Sequence, residues 1–210
     1  SVGMARAWTP GELGARKRLR EFLKETITGY AEGRDRPDEN RTSRLSPHLR
    51  FGEISPHQIW RAASHAQEAG EASARDIQKF LSEVAWRDFS HHLLYHDPQM
   101  GHLSWRRQFE EVDWRTGSKA ELEAWRHGQT GYPIVDAGMR QLWTTGFMHN
   151  RVRMIVASFF AKDLLVHWRK GEEWFWETLV DADPASNPAN WQWVAGSGAD
   201  AAPFFRIFNP

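Results

Sequence analysis

An all-α fold is predicted by three features of this sequence. Apolar residues recur at helical spacing along nearly the whole chain, Ser/Thr-x-x-Glu capping signatures precede two of those runs, and no alternating strand exceeds a few residues. The first helix is signalled by Thr9-Pro10-Gly11-Glu12, a capping box with proline at the first helical position. Leu19, Phe22, Leu23, Ile27 and Tyr30 follow at helix spacing, and Gly33 ends the element before a charged loop over 34–41. Ser55-Pro56 opens the next helix, which carries Ile59 and Trp60. A long helix spans 76–96, with Ile77, Phe80, Leu81, Val84 and Phe89 on its apolar side. His96-Asp97-Pro98 stops it, because proline disfavours helix at the residue before it. Ser118 and Glu121 form the second capping box, and Gly128 closes that short helix. Further helices are predicted over 133–143 and 150–168, with Gly171 as a C-terminal stop, and over 172–179.

A chain of 210 residues makes one domain or one and a half. Its 27 basic and 27 acidic side chains cancel, so no global field argues for a polyanion. The basic set is 21 arginines against 6 lysines, and a planar guanidinium suits phosphates and carboxylates; a coding bias is the bland alternative. The absence of cysteine excludes disulfides, thiolate metal sites and cysteine nucleophiles, and suits a reducing compartment. No apolar run approaches the roughly 20 residues that span a bilayer, and residues 1–8 lack the apolar stretch of a signal peptide. A soluble, cytoplasmic protein is expected. The 12 tryptophans would ordinarily fill a core, yet several adjoin arginine, so stacking and electron-transfer roles stay open.

Three stretches carry chemistry. Thr42-Ser43-Arg44-Leu45-Ser46 gathers hydroxyls, loop amides and a guanidinium, which suit a phosphate or pyrophosphate. Capping of a helix by Thr42 or Ser43 is the competing reading. In Met148-His149-Asn150-Arg151-Val152-Arg153-Met154, helical spacing puts Asn150 and Arg153 on one face and Arg151 and Met154 on another. A ligand could lie on the first face and a polyanion on the second; solvated arginines at a helix start are the alternative. In DADPASNPANWQW (181–193), Asp181 and Asp183 either cap helices or pair with Arg153 and Arg44 around a buried polar ligand. Trp191 and Trp193 lie about 200° apart on a helix, so one ring can face inward and the other a cavity. Separately, Glu83 and Trp86 share a helix face, an acceptor carboxylate beside a stacking ring. No H-E-x-x-H, G-x-S-x-G, G-x-x-x-x-G-K-[ST] or G-x-G-x-x-G run occurs, and His91-His92 lacks ligand spacing.

Five stretches in order resemble the photolyase/cryptochrome family: TSRLSPHLRFGEISP (42–56), FLSEVAWRDF (80–89), TGYPIVDAGMRQL (130–142), MHNRVRMIVASF (148–159) and the long tail 162–210. The likeness covers almost the entire chain after Trp8 and is nearest to class I cyclobutane pyrimidine dimer photolyases, through their all-helical FAD-binding domain. It implies a U-shaped FAD buried between helices, with Tyr30, Thr42, Ser43, Leu45 and Ser46 on its phosphates and ribityl chain. Arg44, Asp181 and Arg153 would form the charged surround of the isoalloxazine, with Asp183 beside it. Asn150 would help fix the cofactor and Asn187 would sit at the flavin N5 edge. The implied reaction is light-driven DNA repair: reduced FADH⁻ gives an electron to a cyclobutane dimer flipped from the duplex, the ring splits, and the electron returns. Trp86 and Trp193 would clamp the dimer, Glu83 would hydrogen-bond its 5′ base carbonyl, and Met154 would pack against it. Arg151 and Arg87 would contact DNA, a local patch that net neutrality does not forbid.

Trp191 and Trp168 match the inner members of the family's photoreduction relay, and Trp114, ahead of Trp105, its outermost member. The expected partner is dimer-containing DNA, met in the bacterial cytoplasm by a monomer without membrane attachment; an antenna pigment belongs only to the full-length protein. Phe147 replaces a usual tryptophan, and Pro184 and Asn190 replace a usual leucine and glycine. The N-terminal α/β antenna domain and the last helices are missing, so residues 1–210 are read as one helical catalytic domain, a fragment of a longer chain. The rivals are a cryptochrome-like blue-light photoreceptor and a non-catalytic flavin- or DNA-binding module. Asn187 speaks against the plant cryptochromes, which carry aspartate there, and His149-Asn150 against six-four photolyases, where His-His is expected.

Overall fold

The computed structural model describes residues 2–200 and 207–210, so part of the tail motif, 201–206, lies outside the described residues. The chain divides into two units, residues 1–89 and 90–210. Among the described residues the only extended pairing is one bridge between Arg115 and Val166, so the predicted all-α class holds. No described helix is long and apolar enough to cross a membrane.

The first unit comprises α1 (Val2–Ala7), α2 (Glu12–Glu21) with a wider π-helical turn over Phe22–Thr26, α3 (Tyr30–Gly33), α4 (Ser46–Arg50), α5 (Pro56–Glu68) and most of α6 (Ala74–His96). Helix α2 does not start from the capping box predicted over 9–12. Gly11 adopts a φ of 94° and donates its N–H to Glu53 Oε1 at 2.7 Å, so the helix begins at Glu12. The single helix predicted to reach Gly33 is interrupted at Gly29, whose φ of 77° a side chain would resist. Asp76 secures that corner by accepting the N–H groups of Gly29 and Ala31 at 3.1 and 2.8 Å. Helix α5 opens at Ser55-Pro56 as predicted, and the structure adds a capping box there, with Gln58 as the partner of Ser55. Leu19, Ile27, Ile59, Ile77 and Val84 close the core around a ring cluster in which Phe22 lies 4.6 Å from Phe80 and 5.5 Å from Tyr30.

The second unit holds a 3₁₀ turn over Arg107–Glu111, then α7 (Lys119–His127), α8 (Pro133–Thr145), α9 (Asn150–Ser158) with a π-helical turn over Phe159–Asp163, α10 (Trp168–Thr178) and α11 (Ser186–Ala195). Ser118 and Glu121 form their predicted box, and Gly128 ends α7 in the left-handed region. The helix predicted over 150–168 breaks early: Leu165 takes a φ of 54°, and His167 Nδ1 starts α10 by accepting the N–H of Arg169. Gly171 is not a stop. It lies inside α10 and is buried, because the ring of Trp191 from α11 occupies the space where a side chain would stand. Gln192, buried beside that contact, donates to Met100 O at 2.5 Å and Leu103 O at 3.2 Å, and accepts from Trp105 N at 2.6 Å. It ties the loop after α6 to α11, using a polar side chain where the core could tolerate only a fully bonded one.

Gly171→Ala sets two effects against each other. The helix interior gains up to about 1 kcal/mol from the lost glycine entropy, while a methyl overlapping the packed Trp191 ring costs about 1–3 kcal/mol. The neighbour is a rigid ring in the core, so overpacking wins: chemical denaturation should show a net loss of about 1–2 kcal/mol. The double variant with Trp191→Phe should recover part of that loss, as coupled neighbours do.

Candidate functional site

In the second unit, α9, α10 and α11 bring together most of the residues singled out over 148–193. Arg153 points from α9 to Asp181, and its Nη2 reaches both carboxylate oxygens, at 3.1 and 2.9 Å. Its Nε donates to Met148 O at 2.7 Å, so the guanidinium is fixed from both ends. It also lies 5.6 Å from the ring of Phe147, the residue at the departing tryptophan position. Asp183 accepts the N–H groups of Ala185 and Ser186 on Oδ1, at 3.0 and 2.8 Å, which starts α11, and its Oδ2 stands 3.3 Å from His91 Nε2. Asp181 thus meets its predicted arginine, whereas Asp183 caps a helix and faces a histidine.

The predicted division of α9 into two faces is only half right. Asn150 is exposed and sits with Met154, its amide 3.9 Å from Sδ, and Arg151 approaches the same sulfur at 3.8 Å. Asn150 therefore groups with Arg151 and Met154, and Arg153 stands apart, because the buried Asp181 draws the guanidinium across to the other side. Pro184 and Asn190, the two departures from the family pattern, are exposed, and Asn190 bonds back to Ser186 O at 2.6 Å.

Asn187 is buried and donates its amide to Glu172 twice, to the backbone oxygen at 3.1 Å and to Oε1 at 2.8 Å. Two acceptors on one side fix which amide atom is nitrogen, leaving Oδ1 as the acceptor for anything else. Glu172 escaped the sequence reading. The signal was present: it follows Trp168 at i+4 and precedes Phe175 at i+3, the apolar stripe of α10, where an unpaired carboxylate would be costly. Burial raises its pKa to about 7, against the opposing bond from Asn187, with Glu173 adding to the rise.

Trp191 is buried among Phe175, Phe160 and Trp125, at ring distances of 5.0, 5.9 and 6.3 Å, while Trp193 is half-buried, in line with the angle between them. Trp168 is fully buried and its Nε1 donates to Ser104 Oγ at 3.3 Å. Trp114 and Trp168 each contact His167, at 5.3 and 5.5 Å between ring centroids. Trp105 instead presents its backbone N–H to Gln192.

In the first unit, Tyr30 is part of the aromatic core, and burial raises its phenol pKa. The loop 42–46 is not a helix cap: α4 begins at Ser46 without a side-chain cap, and Ser43 Oγ instead accepts the N–H of Leu45 at 3.4 Å. Arg18 Nε anchors the loop through Ser43 O at 2.9 Å. Arg44 adopts a φ of 51°, a conformation uncommon for a residue with a side chain, and burial together with Arg18 lowers its pKa. Thr42 and Arg44 are half-buried, Leu45 is buried and Ser46 exposed. Glu83 is held by Arg34, which is buried, and by Lys79 at 3.3 Å. Sequence reasoning had left Arg34 in a charged loop. Trp86 is half exposed and meets Phe89 edge-on at 5.6 Å; Arg87 follows it on α6.

The family model described as the FAD binding domain of DNA photolyase matches residues 80–210. A deoxyribodipyrimidine photo-lyase of Agrobacterium fabrum is 59% identical over 97% of this chain and 42% of its own length. The crystal structure of a bacterial class III photolyase from Agrobacterium tumefaciens aligns with a TM-score of 0.93 at 57% identity, over 98% of this chain and 42% of that one. A cryptochrome of Synechocystis aligns with a TM-score of 0.88 at 34% identity, over 97% and 42%. The chain thus spans about two fifths of the curated relatives it matches, 42% in the first case.

The Glu172 carboxyl yields a prediction with a definite sign. Its folded pKa, about 7, lies above its unfolded value, so folding takes up a proton between the two. Its contribution to stability is fully present at acid pH and is lost as pH rises through the folded value. Thermal unfolding of Glu172→Gln should lack the fall in midpoint that the parent shows between about pH 5 and pH 8.

Proposed function

The chain belongs to the photolyase/cryptochrome family as its FAD-binding domain, and we propose that it is the flavin-holding, DNA-contacting part of a light-driven cyclobutane-dimer photolyase. The observation that carries this reading is the second unit's polar set: the doubly bonded Arg153–Asp181 pair and an Asn187 amide whose donors are committed to Glu172. An isoalloxazine edge alternates N–H groups with carbonyl oxygens, and a guanidinium, a carboxylate and an amide oxygen are the groups that complement it. Reduced FAD, when bound, supplies the electron that opens the cyclobutane ring of the dimer.

The chain's own residues then divide the work. Arg153 and Asp181 hold the ring as an oriented pair, and Asn187 Oδ1 accepts from the N5 edge. Tyr30, Thr42, Ser43, Leu45 and Ser46 bind the phosphates and ribityl chain, with Arg44 completing the charge and Asn150 and Asp183 in supporting positions. Glu83, held in place by Arg34 and Lys79, hydrogen-bonds the 5′ base of the dimer at its carbonyl edge. Trp86, with its half-exposed ring, and Trp193 stack on the flipped bases, and Met154 packs against them. Arg151 and Arg87 take backbone phosphates, and Trp191, Trp168 and Trp114 supply electrons for photoreduction.

The test is blue-light illumination of the reduced protein with a dimer-containing oligonucleotide. Repair is expected, and Glu83→Gln should lower its yield about tenfold or more, the worth of one hydrogen bond to a charged acceptor. An intact flavin spectrum without any repair would favour the photoreceptor reading, which the likeness to a cryptochrome keeps in view.

A further inference from the structure

His167 stands at a junction that the proposed function leaves unexplained. Its imidazole lies between two indoles, 5.3 Å from Trp114 and 5.5 Å from Trp168, and its Nδ1 accepts the N–H of Arg169 at 3.2 Å to start α10. A ring nitrogen that accepts is unprotonated, so the conformation seen here is that of the neutral imidazole. The Nε1 of Trp114 is buried with no hydrogen-bond partner, leaving that indole without an acceptor to steady a positive charge. We propose that His167 is the bridging ring of the outer relay step, carrying an electron from Trp114 towards Trp168 only while its imidazole is neutral.

The inference rests on the relay assigned above. One electron leaves the Trp114 indole and fills the vacancy on Trp168; His167 is neither oxidised nor reduced, and no bond forms or breaks. The oxidant is the light-excited oxidised flavin of that relay, and a thiol in solution returns an electron to Trp114. Protonation of His167 acts twice against the transfer. It removes the acceptor that caps α10, and it sets a cation beside both indoles, where positive charge must develop. The charged groups facing the ring are Glu110 from the 3₁₀ turn and Arg169, Lys170 and Glu173 from α10; burial outweighs the attraction of Glu110 for the proton, and the pKa is lowered. Ordinary neutral pH therefore leaves the bridge open.

Two variants separate bridge from gate. His167→Phe keeps a ring that cannot be protonated, and His167→Asn keeps a capping side chain without an aromatic ring. In transient absorption of the flavin-loaded protein, oxidation of Trp114 in the parent should slow about tenfold per pH unit below the His167 pKa, as the neutral fraction falls. His167→Phe should be pH-independent and fast, and His167→Asn slow throughout. An unslowed His167→Asn would overturn the bridge, and an unchanged acid limb in His167→Phe would overturn the gate. A flavin-free readout stands beside these: an imidazolium quenches neighbouring indole emission, so acid should dim the parent's tryptophan fluorescence more than that of His167→Phe. Identical titrations would sink the proposal. If instead Trp168→Phe leaves photoreduction untouched, the relay itself fails, and the fluorescence result still judges His167.

Discussion

The close approach of α10 and α11 at Gly171 is the constraint on which the second unit depends. A helix carrying any side chain there would stand off by the thickness of a methyl group, and the Trp191 ring could not lie against backbone. Because it does, Asn187, one helical turn earlier on α11, falls beside Glu172, the residue after Gly171, and bonds to it through both backbone and side chain. On the next position of α11, Gln192 fastens the loop that carries Ser104 and Trp105. One missing side chain thus sets the place of an amide, an indole and a loop, and a shift of a fraction of an ångström would be felt by all three, as it is in close-packed interiors generally.

Charge is buried around this contact only where it is answered. Asp181 is nearly inaccessible, and the doubly bonded Arg153 compensates it. Asp183 is spent on two amide hydrogens and a histidine, and Glu172, the carboxyl with no cation bonded to it, is the one whose pKa burial raises. The pattern follows from the cost of an isolated ion in a low-dielectric interior. It also leaves an oriented guanidinium, a carboxylate and an amide oxygen as fixed features rather than flexible ones, which is the preorganisation a binding site for a polar ring requires.

The sequence was most legible where chemistry is local. The helix start at Ser55-Pro56, the box at Ser118 and the left-handed stop at Gly128 depend on residues within a few positions of each other, and all three form. The box over 9–12 failed because Glu53, distant in sequence, takes the Gly11 amide. Gly171 was misread for the same reason: its purpose is to admit a ring from another helix, which no local pattern announces. Pairing with an arginine was one of two readings left open for Asp181, and Arg153 takes it; Asn150 was placed with the wrong neighbours, since spacings of three and four residues alone do not say which face a long side chain will choose. Glu172, Arg34 and His167 stood in plain view as, respectively, a carboxylate on an apolar stripe, a loop cation and a helix-start histidine. Their roles emerge only from partners that folding brings beside them.

The central claim is that these residues make a flavin site, and equilibrium titration of the purified protein with FAD, followed by quenching of flavin fluorescence, tests it most directly. Saturable binding of one FAD per chain is predicted, weakened about tenfold or more in Asp181→Asn, the worth of a broken charge-assisted pair, and unchanged in Arg20→Ala at an exposed position of α2. An absence of saturable binding, or equal affinity in Asp181→Asn and the parent, would contradict it.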